Sequence, residues 1–509
     1  MNNQGITRTV FKASAVIFMV SVIAKLTAFL SEVLLAAYLG LTDESDAYYM
    51  VTGIQAVLYP MLSAGVWKVF LPVYKEKITL TDHREAFSLT NQGITFFTLI
   101  SLGAVILLEL FAGLVVSLVA PGFTGEKRAL CIELLRISAP MYVFILAASI
   151  YSALLQCHNR FFGSQIREVV SHIPTILAAV FLYQRFGIRV FAAALVVGGL
   201  ARLLIELPFV NWGYRYRPDF RFRSADFDRM LKRLPFALIS EGVTQLNVLV
   251  DKIMASLLPK GTVSGLNYAH RLINVLSGLI STSVATALYP QMVELISKKE
   301  KEALSNLLLR IIELFAFLML PVTLAAVLFR GEIVAVIYQH GNFTAENTAL
   351  TSGIFAFYAL GLFFIACNEI IFNLFYGNGD TKTPMYISLI NLGVNVVLNL
   401  ALIQLLGANG LALATSLSAA VSFCVRLWAA RRYCTFNYRA LFGSTLKVLC
   451  VAALAIVPAW FGLRALGVGK LLTLLLAVVV CIPLYLLLAK LFHMPELKML
   501  TSILHRRKK

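Results

Sequence analysis

The stretch SEVLLAAYLGLTDESDAYY (31–49) lies over VDKIMASLLPKGTVSGLNY (250–268) when the chain is compared with itself. Glu32 meets Asp251, Ala36 meets Ala255, Leu39 meets Leu258, Ser45 meets Ser264 and Tyr49 meets Tyr268. After a one-residue gap, FLPVYKEK (70–77) falls over LYPQMVEL (288–295), pairing Pro72 with Pro290. The two copies stand six apolar segments apart, so the match preserves orientation across a membrane. That predicts two pseudo-symmetric, parallel lobes of six helices, spans 1–6 and 7–12, with two further helices after them. Duplicated halves with a site at their interface are a transporter architecture.

Composition supports the same class. Of 509 residues, 59% are hydrophobic and only 14% charged, and the mean hydropathy is +0.81. A soluble protein of this length needs far more charge to cover its surface. Apolar runs long enough to cross a bilayer recur from end to end. The expectation is an all-α polytopic membrane protein of about fourteen spans, centred near residues 25, 59, 105, 143, 173, 200, 244, 278, 316, 363, 395, 418, 454 and 480. The expected divisions are an N-lobe at 1–215, a C-lobe at 216–433, and spans 13–14 with a basic tail at 434–509. The first apolar stretch, about Val10 to Leu39, is too long for a signal-peptide core and reads as a span that stays.

The formal charge of +18 does not point to nucleic acid. Basic residues gather in alternate connectors: between Arg215 and Arg233, at Lys298, Lys299 and Lys301, at Arg426, Arg431, Arg432 and Arg439, and in the terminal HRRKK. Intervening connectors such as GLTDESD, LPKGT and GANG are poor in Lys and Arg. The positive-inside rule then places both termini in the cytoplasm. Seven cysteines without a CxxC or a Cys/His cluster give no reason to expect a disulfide framework or a metal.

Polar residues inside the spans are the functional candidates. In LNYAHRLINVLSG (266–278) and its flanks, Ser264, Asn267, Arg271, Asn274, Gly278 and Ser281 recur every three or four residues. They therefore share one helical face. A charge at mid-span costs about 2.5–3.5 kcal/mol on insertion scales, so the stripe should face protein or water. A guanidinium suits phosphate, which it binds through two parallel hydrogen bonds.

Span 1 repeats the pattern with Ser14, Ser21, Lys25 and Glu32. Span 7 does so with Glu241, Gln245 and Lys252, flanked by Thr244, Asn247 and Asp251. A cavity between the lobes lined by spans 1, 2, 7 and 8 is the economical picture. Glu32, Asp251 and Lys252 equally suit ion pairs between helices, and Lys25 stands two turns from Glu32. Glu133, Arg136, Arg202 and Glu206 lie nearer span ends, where snorkelling or pairing is the simpler role. Asn391, Asn395 and Asn399 form another stripe, suited to an ion or to interhelical hydrogen bonds.

From Phe329 the sequence resembles the MurJ/MviN family of lipid II flippases, within the multidrug/oligosaccharidyl-lipid/polysaccharide exporter superfamily. The resemblance rests on YQHGNFT (338–344), YGNGDTKTP (376–384) and INLGVNVVLNL (390–400). It extends to AKLTAFLSEVLLAAYLGLTDESDAYY (24–49), LLRISAPMYVFILAASIYSALLQCHNRF (134–161) and LNYAHRLINVLSG. In the nonapeptide, Gly377 and Gly379 permit a tight reversal, Asp380 can cap the next helix and Pro384 suits its first turn.

The resemblance implies a carrier whose cationic cavity receives a pyrophosphate–sugar headgroup and opens to each side in turn. By the same resemblance, Arg271 and Lys25 match cationic cavity positions, Asp46 an acidic position at the span 1–2 loop, and Ser264 a serine preceding the span 8 stripe. Glu32, Asn267 and Asn274 complete the candidate substrate-binding set from their stripes. Other positions depart from the family: Ser31, and Tyr59 or Pro60, stand where it has arginines, and His270 and Asn274 where it has acids.

The expected function is movement of undecaprenyl-pyrophosphate-linked lipid II from inner to outer leaflet of the bacterial cytoplasmic membrane, in service of cell-wall synthesis and cell shape. Alternatives are a flippase for another lipid-linked oligosaccharide and a multidrug/cation antiporter, which would need a poised carboxylate such as Glu32, Glu241, Asp251 or Glu369. No Gly-rich nucleotide loop is present, so neither an enzyme nor an ATP-driven pump is expected. No cofactor is expected. A coupling ion or the membrane potential, about 2.3 kcal/mol per charge per 100 mV, would drive a protein that works as a monomer.

Overall fold

The computed structural model describes residues 3–80, 83–210, 214–222, 224–380, 382–435, 438–497 and 499. Side chains at 3–18, 64–65, 80, 83–84, 236–237, 239–241, 243–244, 279–287 and 289–290 fall outside that description. The first helices are α1 (Asn3–Leu39), α2 (Asp43–Leu80), α3 (His83–Val119), α4 (Gly125–Ser138), α5 (Met141–Cys157), α6 (Phe161–Leu177), α7 (Tyr183–Phe186), α8 (Arg189–Val210) and α9 (Ala225–Ser256). There follow α10 (Thr262–Ser297), α11 (Lys301–Leu328), α12 (Arg330–Tyr338), α13 (Ala345–Ala359), α14 (Leu362–Gly377), α15 (Lys382–Leu406), α16 (Ala408–Ala429), α17 (Tyr438–Ala465) and α18 (Lys470–Leu491). Every expected span centre falls inside a helix.

Among the described residues, eleven helices are long and apolar enough to cross a membrane, or twelve if the bent pair α13–α14 is one span. The count of fourteen is not reached on this criterion. The two expected spans it leaves out are α9 and α10, which carry the polar stripes and lie partly outside the described side chains.

Two compact units divide the chain, Met1–Val263 and Ser264–Lys509. The first includes α9, which the repeat-based division assigns to the C-lobe. Repeats count sequence copies and units count packing, and α9 packs along α2. Lys77 reaches Asp226 at 2.6 Å and Arg229 reaches Glu76 at 2.9 Å, clasping the end of α2 to the start of α9. Below them Phe70, Tyr74, Leu89, Phe97, Ile150 and Phe227 form the core of the unit.

The connector 214–222 is extended and tied to α3. Tyr214 donates to Asn91 at 2.8 Å, and Ser88 donates to Asp219 at 3.2 Å. With no hydrophobic force between helices in lipid, close backbone approach matters more. At Gly198 a β-carbon would lie 2.6 Å from the Ser171 carbonyl oxygen, so α6 and α8 meet through glycine.

In the second unit α11 is central. One side packs with α14 and α16 through Leu308, Ile312, Phe315, Ile370, Leu374 and Leu427. Its other end meets α17 and α18, where Tyr485 donates to the Phe317 carbonyl at 2.9 Å. The bend of 45° between α13 and α14 has a local cause. Ser416 of α16 donates its hydroxyl to the Phe357 carbonyl at 2.7 Å, at the break where helical donors run out. Between α14 and α15, Asp380 accepts from the Thr383 amide at 3.0 Å and Gly379 takes a φ of 73°, so the YGNGDTKTP motif is a capped turn.

Candidate functional site

Three polar groups lie inside the first unit. In the first, Lys252 of α9 is buried beside α2 and donates to the Tyr49 carbonyl at 2.7 Å. Gly53 makes its space. Glu32 of α1 acts electrostatically on both Lys252 and Tyr48. Lys25 makes no ion pair among the described residues and is exposed on α1. The structure thus brings Glu32 within electrostatic reach of Lys252, a partner the sequence did not name for it, and Lys25 makes no ion pair with it among the described residues.

The second group is at the start of α2. Thr42 and Ser45 cap each other reciprocally, with Thr42 N–H to Ser45 Oγ at 2.9 Å and Ser45 N–H to Thr42 Oγ1 at 3.2 Å. The next residue, Asp46, is 1% exposed. Its Oδ2 accepts from Lys127 at 2.8 Å and from the Gly261 amide at 2.7 Å. Lys127 also holds Asp43 at 2.9 Å and lies 4.4 Å from the Phe123 ring centroid. Asp46 therefore joins α2, α4 and the α9–α10 connector.

The third group was not singled out from the sequence as a site. Arg202 of α8 donates to Glu168 at 2.6 Å, to Ser171 at 3.2 Å and to the Tyr59 hydroxyl, with its guanidinium 5.1 Å from the Tyr59 ring centroid. Arg167 lies 3.4 Å from Glu168 and 3.7 Å from Glu206. Arg202, Tyr59, Gln55, Ser171, His172 and Thr175 line a cleft of about 200 Å³. Of the residues for which snorkelling or pairing was expected, Arg202 pairs with Glu168, Glu206 has among the described residues only the 3.7 Å ion-pair contact to Arg167, and Glu133 pairs with Arg189 at 3.0 Å. Arg136 lies 3.7 Å from Glu109.

In the second unit the stripe on α10 is graded. Tyr268, Ala269, Leu272 and Ile273 are buried, Asn267, His270 and Arg271 are half-buried and Asn274 is exposed. Ser264 shares the stripe's spacing but is fully buried. Asn274 and His270 lie 3.3 Å apart, and the His270 ring sits 5.7 Å from that of Tyr358. Tyr338 donates to the Tyr268 carbonyl at 3.3 Å, and Tyr268, Tyr338 and Phe343 cluster with ring centroids 5.1–5.8 Å apart. This aromatic anchor holds one side of α10 and leaves Arg271 on the accessible side.

The Nε of Arg271 is buried and has no hydrogen-bond partner among the described residues. Such a donor is costly to leave unmade. On α15, Asn399 donates to Asn395 at 3.0 Å, and Asn395 reaches Thr415 of α16 at 3.4 Å, the interhelical bonding its stripe suits.

The structure thus places Lys25, Glu32 and Asp46 in the first unit and Ser264, Asn267, Arg271 and Asn274 in the second. Ser14, Glu241, Thr244 and Ser281 lie outside the described side chains, and HRRKK outside the described residues. Sequence reasoning missed Lys127 as the partner of Asp46, and Tyr59 as the partner of Arg202. A tyrosine and an arginine within two apolar spans were the available signal. Among the described residues, no cluster of His, Cys, Asp and Glu could hold a metal.

Comparison with known proteins gives relatives, a fold and a family. A probable lipid II flippase MurJ of Thermotoga maritima is 26% identical over 93% of this chain and 95% of its own length. Another, of Rhizobium meliloti, is 29% identical over 77% of this chain and 75% of its own. The fold matches a solved lipid II flippase MurJ in an inward closed conformation, with a TM-score of 0.80 and 24% identity over 94% of this chain and 98% of that one. A multidrug-resistance MATE family transporter of the MOP superfamily, inward-facing, also matches, with a TM-score of 0.69 and 15% identity over 82% and 96%. Residues 35–484 match the family described as lipid II flippase MurJ, and the chain belongs to that family.

Proposed function

We propose that this multi-pass membrane protein carries lipid II from the inner to the outer leaflet of the bacterial cytoplasmic membrane by alternating access. The observation that carries the reading is the family match across residues 35–484. The unpartnered Nε of Arg271 supports it from the structure. A pyrophosphate offers the paired oxygens a guanidinium fork fits, and among the described residues no carboxylate pairs with Arg271. Lys25, exposed and without an ion pair among the described residues, supplies a second cation from α1. Asn267 and Asn274 can exchange hydrogen bonds with sugar hydroxyls.

The work is transport rather than covalent chemistry, driven by membrane potential or an ion gradient. Both termini face the cytoplasm by the distribution of basic connectors. The protein acts as a monomer, with the lipid-linked precursor and bulk lipid as its partners and no nucleic acid.

The test is substrate exposure in a bacterium depleted of its own lipid II flippase. Lipid II reaching the outer leaflet when this chain is expressed supports the reading. Normal membrane levels without exposure overturn it and point to another lipid-linked glycan, with Ser31 and Tyr59 as the first positions to examine.

A further inference from the structure

Glu206 on α8 is 0% exposed, and neither of its carboxylate oxygens has a hydrogen-bond partner among the described residues. An ionisable side chain at membrane depth normally pairs fully or serves a function. The groups facing it come from three helices. From α6, Arg167 Nη1 lies 3.7 Å from Glu206 Oε1, with Glu168 beside it. From α8 itself comes Arg202, one turn earlier, and from α5 come Ser152 and Tyr151.

The two cations are not shared evenly. Arg202 is taken up by Glu168 at 2.6 Å, Ser171 and Tyr59. Arg167 is divided between Glu168, 3.4 Å from its Nε, and Glu206 at 3.7 Å, and that buried Nε completes no hydrogen bond among the described residues. With Glu206 ionised, the two arginines and two glutamates sum to zero. With Glu206 protonated, the group carries one positive charge, and Arg167 has only Glu168 to answer. Neither state is strongly held.

The surroundings provide access and give. Arg202 lines the cleft together with Ser171, His172 and Thr175, so the cluster borders an opening whose largely apolar wall carries these polar side chains. Helix α6 contains Pro174 and runs into a π-helical turn at Ala178–Leu182. Such irregular turns accompany functional positions more often than chance.

We propose that Glu206 is a proton-binding site, and that its charge state sets how Arg167 is shared between Glu168 and Glu206. The proton passes between the carboxyl group and solvent through the cleft that Arg202 and His172 line. Loss of the proton draws Arg167 toward α8, and gain of it returns Arg167 to Glu168. Proton binding is thereby linked to the packing of α6 on α8.

Infrared difference spectroscopy of the full chain in liposomes, titrated from mildly acidic to mildly alkaline pH, tests this directly. A protonated-carboxyl band should rise and fall in the wild type and be missing from Glu206→Gln. Glu168→Gln frees the cations to favour the Glu206 carboxylate, so the midpoint should fall by about one pH unit. That second variant keeps Glu206 and carries the test if Glu206→Gln fails to insert. A band identical in wild type and Glu206→Gln, a band that never titrates, or a midpoint unmoved by Glu168→Gln each overturns the proposal. No substrate enters the measurement, so its failure is separate from any failure of the flippase reading.

Discussion

Lys252 occupies the space that a side chain at Gly53 would need: a β-carbon there would lie 2.5 Å from Lys252 Cδ and 3.1 Å from Nζ. The lysine stem therefore packs flat on α2, and its ammonium reaches the Tyr49 carbonyl one turn away. Gly53→Ala should push the stem aside and destabilise the protein by about 1–3 kcal/mol. In a Lys252→Ala background the same change should be close to neutral. Thermal unfolding of the four purified proteins measures the coupling, and additive losses would mean the two residues act independently.

Asp46 answers to Lys127 and to a backbone amide, and it has almost no exposure to water. Removing the cation leaves a buried carboxylate with only its remaining donors. Lys127→Met should cost about 3 kcal/mol, read as a lower unfolding temperature. Lys127→Met with Asp46→Asn should recover part of the loss. No recovery would show that Lys127 stabilises through Phe123 or Asp43 instead.

The Arg221 guanidinium bonded to Asp219 holds that carboxyl at about 2, below its ordinary 3.8. A depressed folded-state value means the stabilisation is fully present above 3.8 and is lost as pH falls toward 2. Arg221 itself is 83% exposed, so salt should weaken the effect. Asp219→Asn should flatten the stability profile across that acid window and leave the slope at neutral pH unchanged. Equal acid slopes in both proteins would refute it.

Arg271→Ala should reduce lipid II exposure by about tenfold or more while membrane levels stay normal, since one good charge-assisted contact is worth that factor. Arg271→Lys keeps the charge and loses the fork, so it should fall between. Full activity in the alanine variant would remove Arg271 from substrate recognition.

Hydropathy was enough to place a helix at each expected centre, because an apolar run in lipid has almost no choice but helix, though not to establish fourteen spans. Helical spacing likewise separated Arg271 from the buried Leu272 and Ile273. It failed at Ser264, which has the right spacing and is buried, because spacing fixes direction and not what a neighbouring element covers. Pairings across long separations were illegible. Arg202 with Tyr59, Lys252 with Gly53 and Lys127 with Asp46 each join helices far apart in the chain. The first of these places a cation at Tyr59, one of the two positions, Tyr59 or Pro60, where the resemblance marks a missing arginine.

The Tyr268–Tyr338–Phe343 cluster restricts how Arg271 can be re-aimed. Rolling α10 about its own axis would drag Tyr268 out from between two rings and break its carbonyl's bond to Tyr338. Any movement of the backbone that carries the guanidinium must then come as a translation or tilt of α10 together with α12 and its following loop, because packed aromatic contacts switch between discrete arrangements and do not slide. The backbone of Arg271 is carried like a fixture on a hinged panel.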